Sequence, residues 1–179
     1  MILKKLPFVM IFTAMISLLS LSLVQAQMGG GMGMGSEEER AAQAEKSANT
    51  DFVTAALIDP NTATEEQLAA ITGLSDAGVQ AVLANRPFAT PSELHAAIGE
   101  GMSEEDLFSV YSEMFVQVKL NSSANADFML VPSTMSARRL AHEFEEYRPY
   151  TSMEQFSREM SKYVSDNEVS FLTRYVIVD

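Results

Sequence analysis

Residues 58 to 118 and residues 119 to 179 state one pattern twice, and this duplication constrains the fold more than any other feature of the chain. Asn61 recurs as Asn121, Arg86-Pro87-Phe88 as Arg148-Pro149-Tyr150, and Leu94 as Phe156; Ser103, Leu107, Val110 and Val116 recur as Ser165, Val169, Leu172 and Val178. The spacing is 60 residues at the Asn and 62 from the Arg onward, which puts a two-residue insertion between Val131 and Arg148 in the second copy. A repeat that matches in core and turn positions is a structural unit used twice. Units of about 60 residues lie near the lower limit for an independent core, and two together reach the usual size of one small domain.

Within each repeat the punctuation is helical. Thr64-Glu65-Glu66-Gln67 has the form of a capping box, with Leu68 and Ile71 following as its buried face. Thr90-Pro91-Ser92-Glu93 is a second such box with Pro at the first helical position, and Ser103 opens another helix through Leu107, Val110 and Met114. Between Ser75 and Asn85 a further helix turns Val79, Val82 and Leu83 inward. Ser152 with Gln155 and Ser165 with Glu168 keep the skeleton in the second copy. The fold class expected is all-α, with about four short helices per repeat and strands limited to extended pieces such as 116 to 120.

Ahead of the repeats, residues 1 to 26 carry Lys4 and Lys5, an apolar run from Leu6 to Val24, and Val24-Gln25-Ala26 at a cleavage-like site. This is the layout of a secretory signal peptide and implies export to the periplasm or beyond. An uncleaved membrane anchor is the alternative, since the run approaches the roughly 18 to 20 residues of a span. Residues 27 to 57 then divide in two. Gln27 to Gly35 is a Gly/Met tail read as a flexible tether, although Met28, Met32 and Met34 are thioethers of the kind that bind copper(I). Ser36 to Leu57 starts with three Glu and runs through Ala, which predicts a helical spacer that breaks near Asn49-Thr50-Asp51.

Charge and residue types narrow the function. The chain has a formal charge of −12 and no cysteine, which removes disulfides, thiolate zinc sites and a lipid-anchored N-terminus. The two histidines, His95 and His142, fall on different helices without ligands at metal spacing, so no cofactor, metal or catalytic role is expected. The acidic clusters form no calcium loop and read as solvated helix faces.

The run Asn61 to Leu68, then Ile71-Thr72-Gly73-Leu74, Val82 and Arg86-Pro87-Phe88, resembles the helix-hairpin-helix module of the ComEA family, exported DNA receptors of bacterial competence. The resemblance covers the first repeat; the second is similar in outline. It implies two tandem helix-hairpin-helix units that bind the phosphate backbone of double-stranded DNA without reading sequence. On that reading the first repeat offers Gly73-Leu74-Ser75 in one hairpin and Gly99 and Gly101 in the other. Tight turns there would point backbone N–H groups at a phosphate oxygen.

The chain also departs from that pattern. Ser75 stands where a second glycine belongs, Glu100 puts a negative charge inside the other hairpin, and the second repeat has Pro132-Ser133-Thr134-Met135 and Ser161-Lys162-Tyr163-Val164 instead of glycine turns. Residues 58 to 118 contain Arg86 alone against ten acids, whereas residues 119 to 179 have seven bases against nine acids. Arg138 and Arg139 are the second repeat's candidates for phosphate contact, yet Glu143, Glu145 and Glu146 are nearby acids that can pair with them instead, Glu143 at helical i,i+4 spacing from Arg139. The glycines can equally serve as helix C-caps. Arg86 and Arg148 suit the last carbonyls of their helices, and Phe88 and Tyr150 suit the core.

Two functions fit: an exported protein that binds duplex DNA, or a non-enzymatic interaction or assembly module of the cell envelope on a scaffold that has lost DNA binding. The family resemblance supports the first, net charge and glycine loss support the second, and an acidic chain also fits a basic partner or divalent cations bound nonspecifically.

Overall fold

Side-chain caps mark the start of every described helix except Asn125–Phe128 and Ala137–Glu146. In the computed structural model, which describes residues 36 to 179 apart from 53 and 54, Ser, Thr or Ala precedes every helix. The expected signal peptide, the Gly/Met tail and its methionines lie outside the described residues.

α1 (Glu37–Ala48) starts with a complete capping box between Ser36 and Glu39 and ends on Asn49, where the sequence predicts a break. The first repeat contains α2 (Glu65–Ala69), α3 (Asp76–Asn85), α4 (Pro91–Ile98) and α5 (Glu104–Glu113). β1 (Val118–Lys119) spans the junction, and the second repeat contains α6 (Asn125–Phe128), α7 (Ala137–Glu146), α8 (Met153–Met160), α9 (Asp166–Leu172) and β2 (Val176–Ile177). The described chain is therefore mostly helical, with one small parallel sheet in which Val118 pairs with Val176 and Lys119 with Ile177.

Thr64 and Gln67 close their box reciprocally, as expected. At α4 only half the box forms as expected: Thr90 accepts from the Glu93 N–H, while the Glu93 carboxylate accepts from Ala89 rather than Thr90.

Each repeat is closed by the same two devices. The carboxamide of Asn61 accepts from the Phe88 N–H at 2.7 Å and donates to the Phe88 carbonyl at 3.0 Å; Asn121 does the same to Tyr150 at the same two distances. This fastens the chain leaving α3 or α7 to the chain entering α2 or α6, and it explains why the Asn recurs. The second device joins the ends of each repeat. Ile58 bridges to Met114 in the first copy, as Val118 pairs with Val176 in the second.

The arginines have a different structural role from the one expected. Arg86 donates to the carbonyl of Ala63, and Arg148 to those of Leu120 and Ser123, so both reach across to the segment that enters the repeat instead of capping their own helices. Both Arg-Pro bonds are cis. Phe88 and Tyr150 are buried, as expected.

The two-residue insertion is split. α3 and α7 start at Asp76 and Ala137, 61 residues apart, so one extra residue enters the turn before α7 and the other is Tyr147 just after it.

The repeats share one apolar core. Phe115 meets Tyr175 edge-on at 5.2 Å, and Tyr111 meets Phe115 at 5.5 Å. Arg174 crosses the join: its guanidinium donates to the Ser112 carbonyl and packs 4.8 Å from the Phe171 ring. Asp127, buried on α6, accepts from the backbone N–H of Ser92 at 3.2 Å and from its hydroxyl at 2.5 Å. A carboxylate at that point also suits the positive end of α4.

Candidate nucleic-acid interface

A turn between helices becomes an anion site when its free N–H groups converge on empty space. In the first repeat the turn between α2 and α3 has the required backbone, because Gly73 is left-handed at φ 85°. Its surroundings are acidic. The Thr72 N–H donates to the carboxylate of Glu113 at 3.2 Å, and a β-carbon on Gly73 would lie 3.6 Å from the Asp106 carboxylate. Leu74 is buried, and Ser75 caps α3 by accepting from the Gly78 N–H at 3.1 Å. Ser75 is thus the side-chain cap that begins α3.

The turn between α4 and α5 separates its two glycines by role. Gly99 has an ordinary helical φ of −78° and closes α4; a β-carbon there would come within 2.7 Å of the His95 carbonyl. Gly101 is left-handed at φ 79° and faces open space, beside the exposed Glu100.

In the second repeat the corresponding first turn is already filled. The Glu168 carboxylate, fully buried, accepts from the Ser133 hydroxyl at 2.6 Å, the Thr134 N–H at 2.8 Å and the Thr134 hydroxyl at 2.5 Å. These are the donors an external anion would need. Capping chemistry explains why this Glu turns inward. Its own N–H is held by Ser165, but the Ser165 N–H donates to the hydroxyl of Ser47 on α1, so the reciprocal half of the box is supplied from elsewhere and the Glu168 side chain is released.

α1 completes the cover. Gln43 donates to the Thr134 hydroxyl, Lys46 donates to the Thr134 carbonyl at 2.9 Å, the Ser47 hydroxyl donates to that of Ser165, and Phe52 packs 4.8 Å from Phe171. The expectation of a helical spacer is therefore corrected: α1 is docked on the second repeat, because its polar face matches the polar turn beneath it.

The second turn of this repeat is closed by side chains. The Tyr147 and Tyr163 hydroxyls meet at 2.6 Å, and Lys162 pairs with Glu159 while lying 4.8 Å from the Tyr147 ring. The bond from Lys162, helped by Arg158, holds the Glu159 carboxyl below its ordinary range; the same bond raises the Lys162 ammonium. Burial raises the Tyr163 phenol, and its contacts with Tyr147 and Glu143 add to the effect.

No match to a protein family, a curated protein or a solved structure was found.

The remaining cations are divided. Arg139 lies 3.8 Å from the Glu143 carboxylate and 5.8 Å from the Tyr163 ring, whereas Arg138 is exposed and makes no ion pair among the described residues. No hydrogen bond or ion pair among the described residues joins either α7 arginine to Gly73 or Gly101. The glycine turns belong to the first repeat and the α7 arginines to the second.

His95 shares a 2.8 Å hydrogen bond with Tyr111, and the exposed His142 lies 3.6 Å from Glu146. The described residues contain no group of three or more His, Cys, Asp or Glu placed to hold a metal ion, and no helix among them is long and apolar enough to cross a membrane. Sequence reasoning located α1 and paired Glu168 with Ser165 as a cap, but missed that α1 docks on the second repeat and that Glu168 and Glu113 face the turns. The Ser165-x-x-Glu168 spacing signals a cap, and only the position of Ser47 redirects the carboxylate.

Proposed function

We propose that this chain is a non-enzymatic protein-interaction or assembly module, built on a helix-hairpin-helix scaffold in two tandem copies whose phosphate sites have been taken over by its own carboxylates. The observation that carries the reading is the Glu168 carboxylate seated on Ser133 and Thr134 beneath α1. A phosphate would have to displace a buried anion and lift a helix to reach those donors. In the first repeat Glu113 and Asp106 stand at the corresponding turn, and the repeat has one cation against ten acids. Backbone binding depends on cations replacing the counterions of DNA, and the field here has the opposite sign.

The resemblance to exported DNA receptors supports the scaffold, and the secretory layout of residues 1 to 26 supports an envelope or secreted location. Function is argued from the site, where a fold can outlive its original ligand. Fluorescence anisotropy of a labelled random-sequence duplex, titrated with the protein at low and near-physiological salt, tests the proposal. Absence of saturable binding at low salt is expected. Binding that saturates and weakens steeply with salt would restore the DNA-receptor reading.

A further inference from the structure

Three large apolar side chains are exposed among the described residues: Phe108 at 44%, Met129 at 39% and Ile177 at 38%. Single exposed apolar residues are ordinary, but two of these three flank one groove. It runs between α5 of the first repeat and the 129–137 segment of the second, with Leu107, Tyr111, Val131 and Met135 lining it and Phe108 and Met129 beside them.

The fold does not demand a phenylalanine at that point on α5. In the second repeat the counterpart of Phe108 is Ser170, which lines a pocket together with the chain's own Phe52. Both positions are exposed, but Ser170 is polar, whereas Phe108 puts an aromatic ring at the edge of the groove.

Shape and charge define what would fit. The cavity is about 240 Å³ and open. This falls below the roughly 300 to 1,000 Å³ of small-molecule pockets and suits an apolar side chain from a polypeptide. Glu104 lines the groove, with Glu105 and Asp106 beside it on the same helix turn, all exposed and without an ion pair among the described residues. Arg138, just beyond Ala137 on the opposite wall, is the nearest cation in sequence to the lining residues. The balance at the groove is acidic.

We infer that this groove docks a segment of a partner protein that carries a bulky apolar anchor flanked by Lys or Arg, in the manner of an amphipathic helix laid into an apolar groove. The inference rests on the reading of the chain as an interaction module and names the surface and the chemistry of its partner. The apolar anchor would fill the space between Phe108 and Met129, and the basic flank would neutralise Glu104 and Glu105.

The probe is a fluorescein-labelled amphipathic peptide with Leu and Phe on one face and Lys elsewhere, and its control replaces every Lys by Glu. The full chain should bind the Lys peptide saturably and the Glu peptide hardly at all. Phe108→Ser and Met129→Ser, both at exposed positions, should each weaken the Lys peptide about tenfold, and Ile177→Ser should leave affinity unchanged. Equal affinity in all three variants, equal binding of the two peptides, or no binding to the wild-type chain would overturn the proposal. A concentration-dependent dimer in light scattering that Phe108→Ser abolishes would assign the groove to a second copy and would equally overturn it. The duplex DNA titration separates the two levels: salt-sensitive DNA binding defeats the interaction-module reading itself, whereas failure of the peptide without DNA binding defeats only this groove.

Discussion

Replacing Glu168 by Ala should destabilise the chain and release α1 at the same time. The substitution removes the acceptor for three hydrogen bonds and leaves the Thr134 N–H, in a buried residue, with no partner. An orphaned buried donor costs about 1 to 3 kcal/mol. The lost side-chain methylenes add about 1 kcal/mol. Removing a fully buried carboxylate also removes its desolvation penalty, which offsets part of that loss. The net expectation is a loss of about 2 kcal/mol, equivalent to a fall in Tm of about 6 °C for a chain of this size.

Glu168→Gln should cost about half as much. It keeps a carbonyl for the Thr134 N–H but turns an N–H2 toward a hydroxyl that already accepts from Gln43. Urea unfolding followed by circular dichroism gives the global term. Amide hydrogen exchange gives the local one, since Lys46 and Gln43 are both fastened to Thr134 and protection across α1 should fall. A loss below about 1 kcal/mol with α1 protection unchanged would refute the role assigned to this carboxylate.

Two further outcomes follow from the duplicated clamps and the buried phenols. Asn61→Ala and Asn121→Ala each strip the partner from one backbone N–H and one carbonyl, so each should cost about 2 kcal/mol in urea unfolding, and the two losses should be similar. Burial pushes the Tyr175 phenol up to about 12 and also raises Tyr111, Tyr150 and Tyr163. A raised folded value means the unfolded chain releases these protons first, so the stability they contribute is complete below about pH 10 and declines as pH rises toward the folded values. The phenolate absorbance of these four residues should therefore appear together with loss of helical dichroism. Ionisation at ordinary phenol pH with the helices intact would contradict their burial.

The parts of the fold that were legible in the sequence depend on local chemistry. Thr64, Ser103, Ser152 and Ser165 mark helix starts because a cap is satisfied within three residues. The recurrence of Asn61 and Arg86 showed that those positions matter, but their partners lie more than twenty residues away, and periodicity carries no information about such contacts. Arg86 was accordingly read as a cap for its own helix. The docking of α1 and the inward turn of Glu168 escape the sequence for the same reason. The Ser47 to Ser165 contact spans 118 residues, and it decides whether Glu168 closes a capping box or fills a turn. The acids that face the first turn of each repeat, Glu113 and Glu168, belong to its far end, a contact that local pattern does not encode.

The most direct test of an internally occupied scaffold is an amide-resolved NMR titration of the protein with a short DNA duplex at low salt. The account predicts that the amides of Thr72 and Gly73 in the first repeat, and of Ser133 and Thr134 in the second, keep their positions as duplex is added, and that the Thr134 amide stays protected from exchange. Saturable shifts at those four amides, reversed by added salt, would mean that phosphate reaches the turns despite Glu113, Asp106 and Glu168, and would contradict the account.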